Sequence, residues 1–110
     1  MRLPNGDRAV VAMEKLVDYC LSPVHPRGRH KARVFDAVLG LTSNNAAELQ
    51  TALLDAAASA EAVETTSDEY GQRYVVDFRM TGPEGAAKVR STWIVKVGED
   101  FPRLTSCYVL

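Results

Sequence analysis

The hydrophobic pattern of this 110-residue chain changes its period near the middle. In the first half, apolar side chains recur every three or four positions, as at Met13, Leu16 and Cys20. In the second half they alternate with polar ones, as between Tyr74 and Met80. A period of about 3.6 residues indicates amphipathic helices, and a period of about 2 indicates half-buried strands. The sequence therefore predicts an α+β fold, with N-terminal helices packed on one face of a C-terminal antiparallel sheet.

Turn residues and the hydrophobic pattern together set the boundaries of these elements. Helices are predicted at residues 12–21, 30–39 and about 43–60, and strands at 72–80, 87–97 and 103–110, with a further short strand around 62–66. The connections at 81–85 and 98–102 are short enough for hairpins, so the sheet is expected to be a meander of three to four strands. Residues 8–11 form either a short strand or an arm that packs on the core. The length suits a single domain, 1–110.

The composition of the chain indicates its cellular location and the redox state of its cysteines. No run approaches the roughly 18 apolar residues of a membrane-spanning helix, and the first residues lack an apolar signal-peptide core. We therefore expect a cytoplasmic protein with no membrane association. Cys20 and Cys107 are the only cysteines, and because they do not resemble a secreted disulfide framework, both are expected to be reduced thiols.

The alternating pattern assigns the strand residues to two faces. The face expected to meet the helices carries Tyr74, Val76, Phe78, Met80, Val89, Trp93, Val95, Val97, Leu104, Tyr108 and Leu110. The opposite face carries Arg73, Val75, Asp77, Arg79, Lys88, Arg90, Thr92, Ile94, Lys96, Arg103, Thr105, Cys107 and Val109. Bases greatly outnumber acids on this second face, which is either an anion-binding surface or an ordinary solvated strand face.

A basic segment from His25 to Lys31 leads into the second predicted helix. A helix N-terminus offers free backbone N–H groups, so a phosphate there would also gain bonds from Arg27, Arg29, His30 or Lys31. The alternative is a plain basic surface.

Metal-independent RNA cleavage could be assembled from residue types that this chain contains. Histidine transfers protons near neutral pH, and His25 and His30 are the only two. Lys31 or an arginine could stabilise a pentavalent phosphate, with a hydroxyl of Thr105, Ser106 or Tyr108 to orient it. No glycine-rich phosphate loop, nucleophile elbow or metal-ligand spacing is present, so no cofactor or metal is expected.

Two sequence runs resemble those of a bacterial family of uncharacterised domains. His25–Phe35 reads HPxGxxKAxxF, and Pro102–Tyr108 reads PRLxxxY. That family is similar in layout to the C-terminal modules of polymorphic toxins, some of which share a helices-then-sheet nuclease architecture. The resemblance implies His25, Lys31 and Thr105 as the first catalytic candidates, with phosphate bound by Arg27, Arg90 and Arg103.

Two functional hypotheses from different classes follow. The favoured one is a non-catalytic interaction module that binds an acidic protein partner through its basic face, or that forms a homodimer through an exposed edge strand. The alternative is a metal-independent ribonuclease of toxin-like type, with RNA as its substrate. Catalysis requires a histidine to approach the hydroxyl-bearing last strand within one cleft, whereas binding does not.

Overall fold

The computed structural model describes every residue from Met1 to Leu110 and confirms the α+β architecture. Helix α1 comprises Met13–Lys15 continued by a π-helical turn, Leu16–Cys20; α2 comprises Arg29–Val34 continued by a second π-helical turn, Phe35–Leu39; and α3 comprises Ala46–Ser59. Short 3-10 turns occur at Gly6–Arg8 and Ser43–Asn45. The strands are β1 Ala62–Asp68, β2 Gly71–Gly82, β3 Gly85–Lys96 and β4 Arg103–Val109.

The four strands form one antiparallel sheet in the order β1-β2-β3-β4, which confirms the predicted meander and its additional first strand. The β2–β3 hairpin closes at the Gly82–Gly85 pair, where the left-handed φ of 157° at Gly85 suits glycine. Strands β1 and β4 are the two edges of the sheet. Dimerisation through an edge strand stays a prediction.

The N-terminal residues form an arm and not a strand. Residues Gly6–Arg8 make a 3-10 turn, and Val10 forms a single parallel bridge with Arg103 at the start of β4. Leu3 and Val11 are buried in the core. Of the two alternatives for residues 8–11, the packed arm is therefore the observed one.

The core lies between the three helices and one face of the sheet. Leu49 and Leu53 of α3 and Phe35 of α2 are fully buried there, opposite Val76 and Trp93 of the sheet. The one polar group of Trp93 is satisfied internally, because its Nε1 donates to the Ser91 hydroxyl at 2.9 Å. That hydroxyl in turn donates to the Val76 carbonyl at 2.7 Å, so the core contains no unpaired side-chain donor at this point.

A β-bulge in β4 corrects the predicted faces of the last strand. Trp93 pairs with Leu104 but Thr92 pairs with Ser106, so Thr105 is an extra residue without a partner position. Because side chains alternate along a strand, one extra residue reverses the facing of everything after it. Cys107 is therefore fully buried on the helix side, where an outward position was predicted.

The same reversal moves two further residues, Tyr108 and Val109. Tyr108 pairs with outward-facing Arg90, and Val109 pairs with buried Val89, so Tyr108 faces outward and Val109 inward, contrary to the prediction. Val97 and Leu110, which were predicted to face the helices, lie exposed at strand ends. Val97 follows the last residue of β3 and Leu110 follows the last residue of β4, so the alternation of a strand does not apply to either.

Candidate functional site

Lys31 joins three separate elements at the β4 edge of the sheet. It lies in the first turns of α2, and its Nζ donates to the Tyr19 hydroxyl of α1 at 3.2 Å. The same Nζ donates to the Ser106 hydroxyl of β4 at 3.4 Å. Lys31 is only partly exposed, and it belongs to none of the five ion pairs in the structure. No carboxylate therefore neutralises the Lys31 ammonium group.

Two tyrosine rings surround the Lys31 ammonium group. The centroids of the Tyr19 and Tyr108 rings both lie 5.3 Å from its Nζ, within the range of cation–π attraction. The hydrogen bond from Lys31 lowers the pKa of the Tyr19 hydroxyl below its usual value near 10, with help from the Ser106 hydroxyl and against the effect of burial. Tyr19 thus has its phenolate form stabilised by a neighbouring cation.

Sequence reasoning did not identify Tyr19 as a functional residue. The available signal was its position beside Cys20 in an amphipathic helix, where a tyrosine is equally well explained by packing. Its relation to Lys31, 12 residues later, depends on how α1 and α2 pack against each other. That packing cannot be read from either helix alone.

The loop between α1 and α2 is ordered by the ring of His25. Its Nδ1 accepts hydrogen bonds from the backbone N–H groups of Arg27 at 3.0 Å and Gly28 at 3.1 Å. The ring also meets the edge of Tyr19, with centroids 4.8 Å apart. Because Nδ1 is an acceptor, the neutral ring carries its hydrogen on Nε2. In this geometry His25 has only its Nε2–H free, which can donate a hydrogen bond but cannot accept a proton.

Gly28 allows the loop to lie directly on α1. A Cβ at this position would overlap the carbonyl oxygen of Tyr19. The glycine of the HPxGxxKAxxF run is therefore explained by a close approach of two backbones. The approach places His25 and Arg27 beside Tyr19.

These side chains line a cavity of about 380 Å³. Its lining residues are Lys15, Tyr19, His25, Arg27 and Thr105. Neither Lys15 nor Arg27 has a carboxylate within ion-pair distance, and the Lys31 ammonium group contacts the hydroxyl of the lining residue Tyr19. Uncompensated cations around one concavity favour an anionic ligand. His25 and Thr105 thus share a cleft, as the catalytic hypothesis requires.

Thr105 and His30 contribute less than the sequence suggested. The Thr105 hydroxyl donates to the Thr92 carbonyl at 3.0 Å and lies 2.6 Å from the Thr92 hydroxyl, so its hydrogen-bonding capacity is already used within the sheet. His30 is exposed and does not line the cavity. Arg29 is also exposed and faces a different groove.

Ion pairs neutralise much of the basic sheet face that was predicted to bind anions. Arg90 makes a two-pronged pair with Asp77 at 2.9 and 2.8 Å, and Arg103 makes one with Glu99 at 2.8 Å. Arg73 contacts Asp68 at 3.3 Å. The hydrogen bonds from Arg90 and Arg103 lower the pKa values of the Asp77 and Glu99 carboxyls. The carboxylates that pair with these arginines come largely from turns and neighbouring strands, so their pairing was not evident from the strand pattern.

Two thiols lie directly beneath the site. Cys20 follows Tyr19 and Cys107 follows Ser106, and both are fully buried. The hydrogen bond between them lowers the pKa of Cys20 to about 7 and raises the pKa of Cys107.

No three His, Cys, Asp or Glu side chains are grouped so that they could hold a metal ion. None of the helices has the length and apolar character needed to span a bilayer.

Comparisons with known proteins place this geometry in context. One chain of a contact-dependent growth inhibition toxin–immunity protein complex from Klebsiella pneumoniae 342 has a similar structure, with a TM-score of 0.71 and 18% sequence identity. The alignment covers 94% of this chain and 95% of that one. At this identity the likeness establishes a shared fold. No curated protein matches the sequence. Residues 2–110 match the family model described as domain of unknown function DUF6883, and the chain therefore belongs to that family.

Proposed function

We propose that this domain cleaves RNA phosphodiester bonds without a metal ion, in the cavity beside Tyr19 and Lys31. The observation that carries the proposal is the contact between the Lys31 ammonium group and the Tyr19 hydroxyl at the edge of a cationic cavity. A lowered pKa increases the fraction of Tyr19 present as phenolate, which is the form that accepts a proton, and the cation beside it is suited to stabilise a phosphate that gains charge. One chain of a toxin–immunity protein complex shares the fold, and a toxin-related role for this chain supports the proposal.

Each side chain at the site has one role in the proposed reaction. The Tyr19 phenolate takes the proton from a ribose 2′-hydroxyl as the 2′ oxygen attacks phosphorus. Lys31 stabilises the additional negative charge on the phosphate oxygens, and His25 donates from Nε2 to one of them. The bond from phosphorus to the 5′ oxygen breaks, and the departing oxygen takes a proton from Tyr108, whose ring borders Lys31. The products are a 2′,3′-cyclic phosphate and a 5′-hydroxyl.

These roles differ from the first assignment of the catalytic residues. Lys31 keeps its role. His25 becomes a phosphate-binding residue because its Nδ1 is occupied by two backbone N–H groups. Thr105 becomes part of the cavity wall because its hydroxyl is bonded to Thr92. Tyr19 takes the place of histidine as the base.

An interaction module is the second candidate, and the same uncompensated cations favour it. An acidic protein surface could cover Lys15, Arg27 and Lys31 without any chemistry. In that case the cavity would be a docking site for a carboxylate-rich partner. The solved complex with a similar chain contains a toxin and an immunity protein, which is consistent with a protein partner in either case.

An RNA cleavage assay in the presence of a chelator separates the two candidates. Purified protein is incubated with mixed RNA beside the Tyr19→Phe variant, which keeps the ring and removes only the hydroxyl. Cleavage by the wild type and a loss of at least 100-fold in the variant would support the proposal, since a general base typically contributes about 10²–10⁴-fold. Absence of cleavage by the wild type would refute it and favour the interaction module.

A further inference from the structure

A second concave site lies on the other side of α2 from the cavity just described. Its volume is about 300 Å³, at the lower end of the range of small-molecule pockets. The floor is apolar and consists of Leu21, Ala32 and Leu41, all of them buried. We call this site the α2 groove.

Cations and hydroxyls form the walls of the α2 groove. Arg29 and Arg33 lie four residues apart on one face of α2, and both are exposed and outside every ion pair. Thr42 stands across the groove from them, and its Oγ1 accepts from the Asn44 N–H at 3.2 Å, which leaves the hydroxyl hydrogen free to donate. Asp36 also lines the groove, and it makes no ion pair with either arginine.

We propose that the α2 groove is a distal nucleotide subsite for a single RNA strand whose cleaved bond lies in the Tyr19–Lys31 cavity. This inference rests on the proposed function and extends it to a substrate longer than a dinucleotide. The two guanidinium groups bind a phosphate, and the apolar floor supports its sugar and base. The Asp36 carboxylate, which would repel a bare phosphate, accepts from a ribose hydroxyl or a base amino group.

The geometry of α2 and its preceding loop connects the two sites. Lys31 lies two residues from both Arg29 and Arg33, so the helix directs it to the opposite side. The loop is shared in the same manner, since Pro23 lines the groove while His25 and Arg27 line the cavity. An RNA strand crossing the N-terminal end of α2 would thus contact cations on both sides of the helix.

The experiment compares two substrate lengths in two charge-matched double variants. Arg29→Gln/Arg33→Gln removes two positive charges from the groove. Arg79→Gln/Lys88→Gln removes two from an exposed cross-strand pair on β2 and β3. Cleavage of a hexanucleotide and of a dinucleotide is measured for each protein, together with hexanucleotide binding by fluorescence anisotropy at several salt concentrations. Thermal melting followed by circular dichroism verifies that both variants remain folded.

The groove variant should lower the ratio of kcat/KM for the hexanucleotide over the dinucleotide about tenfold, and the control variant should not. The slope of log affinity against log salt should fall by about 0.7, because the two arginines share one phosphate contact and each lost phosphate contact on a single strand contributes about 0.7. An unchanged ratio in an active enzyme, or an equal fall in both variants, would overturn the subsite and leave the cleavage site intact. Salt-dependent binding through the groove without cleavage by the wild type would support the subsite and refute the proposed function. Failure of the wild type both to bind and to cleave would refute both.

Discussion

Replacing Lys31 with methionine tests the proposed chemistry most directly. Methionine retains an unbranched stem that packs on the tyrosine rings and removes only the charge and its hydrogen bonds. Two unit charges 4 Å apart interact by about 4 kcal/mol at an effective dielectric constant of about 20. If the transition state adds one negative charge near Nζ, this energy sets an upper limit of about 1000-fold in rate. Because the site is partly open to water, we expect kcat for RNA cleavage to fall about 100- to 1000-fold.

The assay needs a control of equal charge and a readout that does not depend on activity. Lys88→Met removes one charge from an exposed strand position and should change kcat less than about twofold. In Lys31→Met the pKa of Tyr19 should rise back towards its ordinary value, because the hydrogen bond that lowers it is gone. The ultraviolet absorbance of tyrosinate during a pH titration reports this change. A loss of activity below threefold, or an unaltered tyrosine titration, would refute the role of Lys31.

Three further predictions concern the surroundings of the site. In wild-type protein, cleavage should increase as pH rises towards the lowered pKa of Tyr19 because the base must be deprotonated, and Tyr19→Phe should abolish this rise in a pH–rate profile. Gly28→Ala should destabilise the protein by about 1–3 kcal/mol in chemical denaturation, since the added Cβ meets the Tyr19 carbonyl oxygen; unchanged stability would contradict the close approach. Asp77→Asn should reduce stability at neutral pH, because the ion pair with Arg90 lowers the folded pKa of Asp77. That contribution is complete above the unfolded pKa of about 3.9 and is lost as pH falls through the lower folded value, so denaturation curves of the two proteins should converge in acid.

Local pattern was sufficient for most of the fold. The change from a helical to an alternating period predicted the order of elements and the meander, and the short strand around residues 62–66 corresponds to β1. The prediction failed at Thr105, since a bulge depends on how β3 and β4 register with each other. It was undecided at residues 8–11 because the single bridge from Val10 to Arg103 joins residues distant in sequence.

The candidate site was predictable only in part, for the same physical reason. The basic run before α2 directed attention to His25 and Lys31, and both lie beside Tyr19. The hydrogen bonds that His25 Nδ1 accepts from the backbone N–H groups of Arg27 and Gly28 could not be predicted, because they depend on the conformation of the loop. The ion pair between Arg103 and Glu99 was missed because Glu99 lies in a turn that face assignment ignores. Residue types indicated the chemistry, and tertiary contacts determined which residues are free to perform it.

The bulge residue Thr105 lines the cavity, but the pairing of β3 with β4 does not require it. With Thr105 left out, Leu104, Ser106 and Cys107 still oppose Trp93, Thr92 and Ser91 in unbroken succession, so the sheet has no need of the extra residue. A gene with that codon deleted would encode a regular β4 whose remaining side chains keep their faces. The cavity, by contrast, would lose one wall. Deletion of the Thr105 codon therefore offers a genetic means to alter the site while the sheet stays intact.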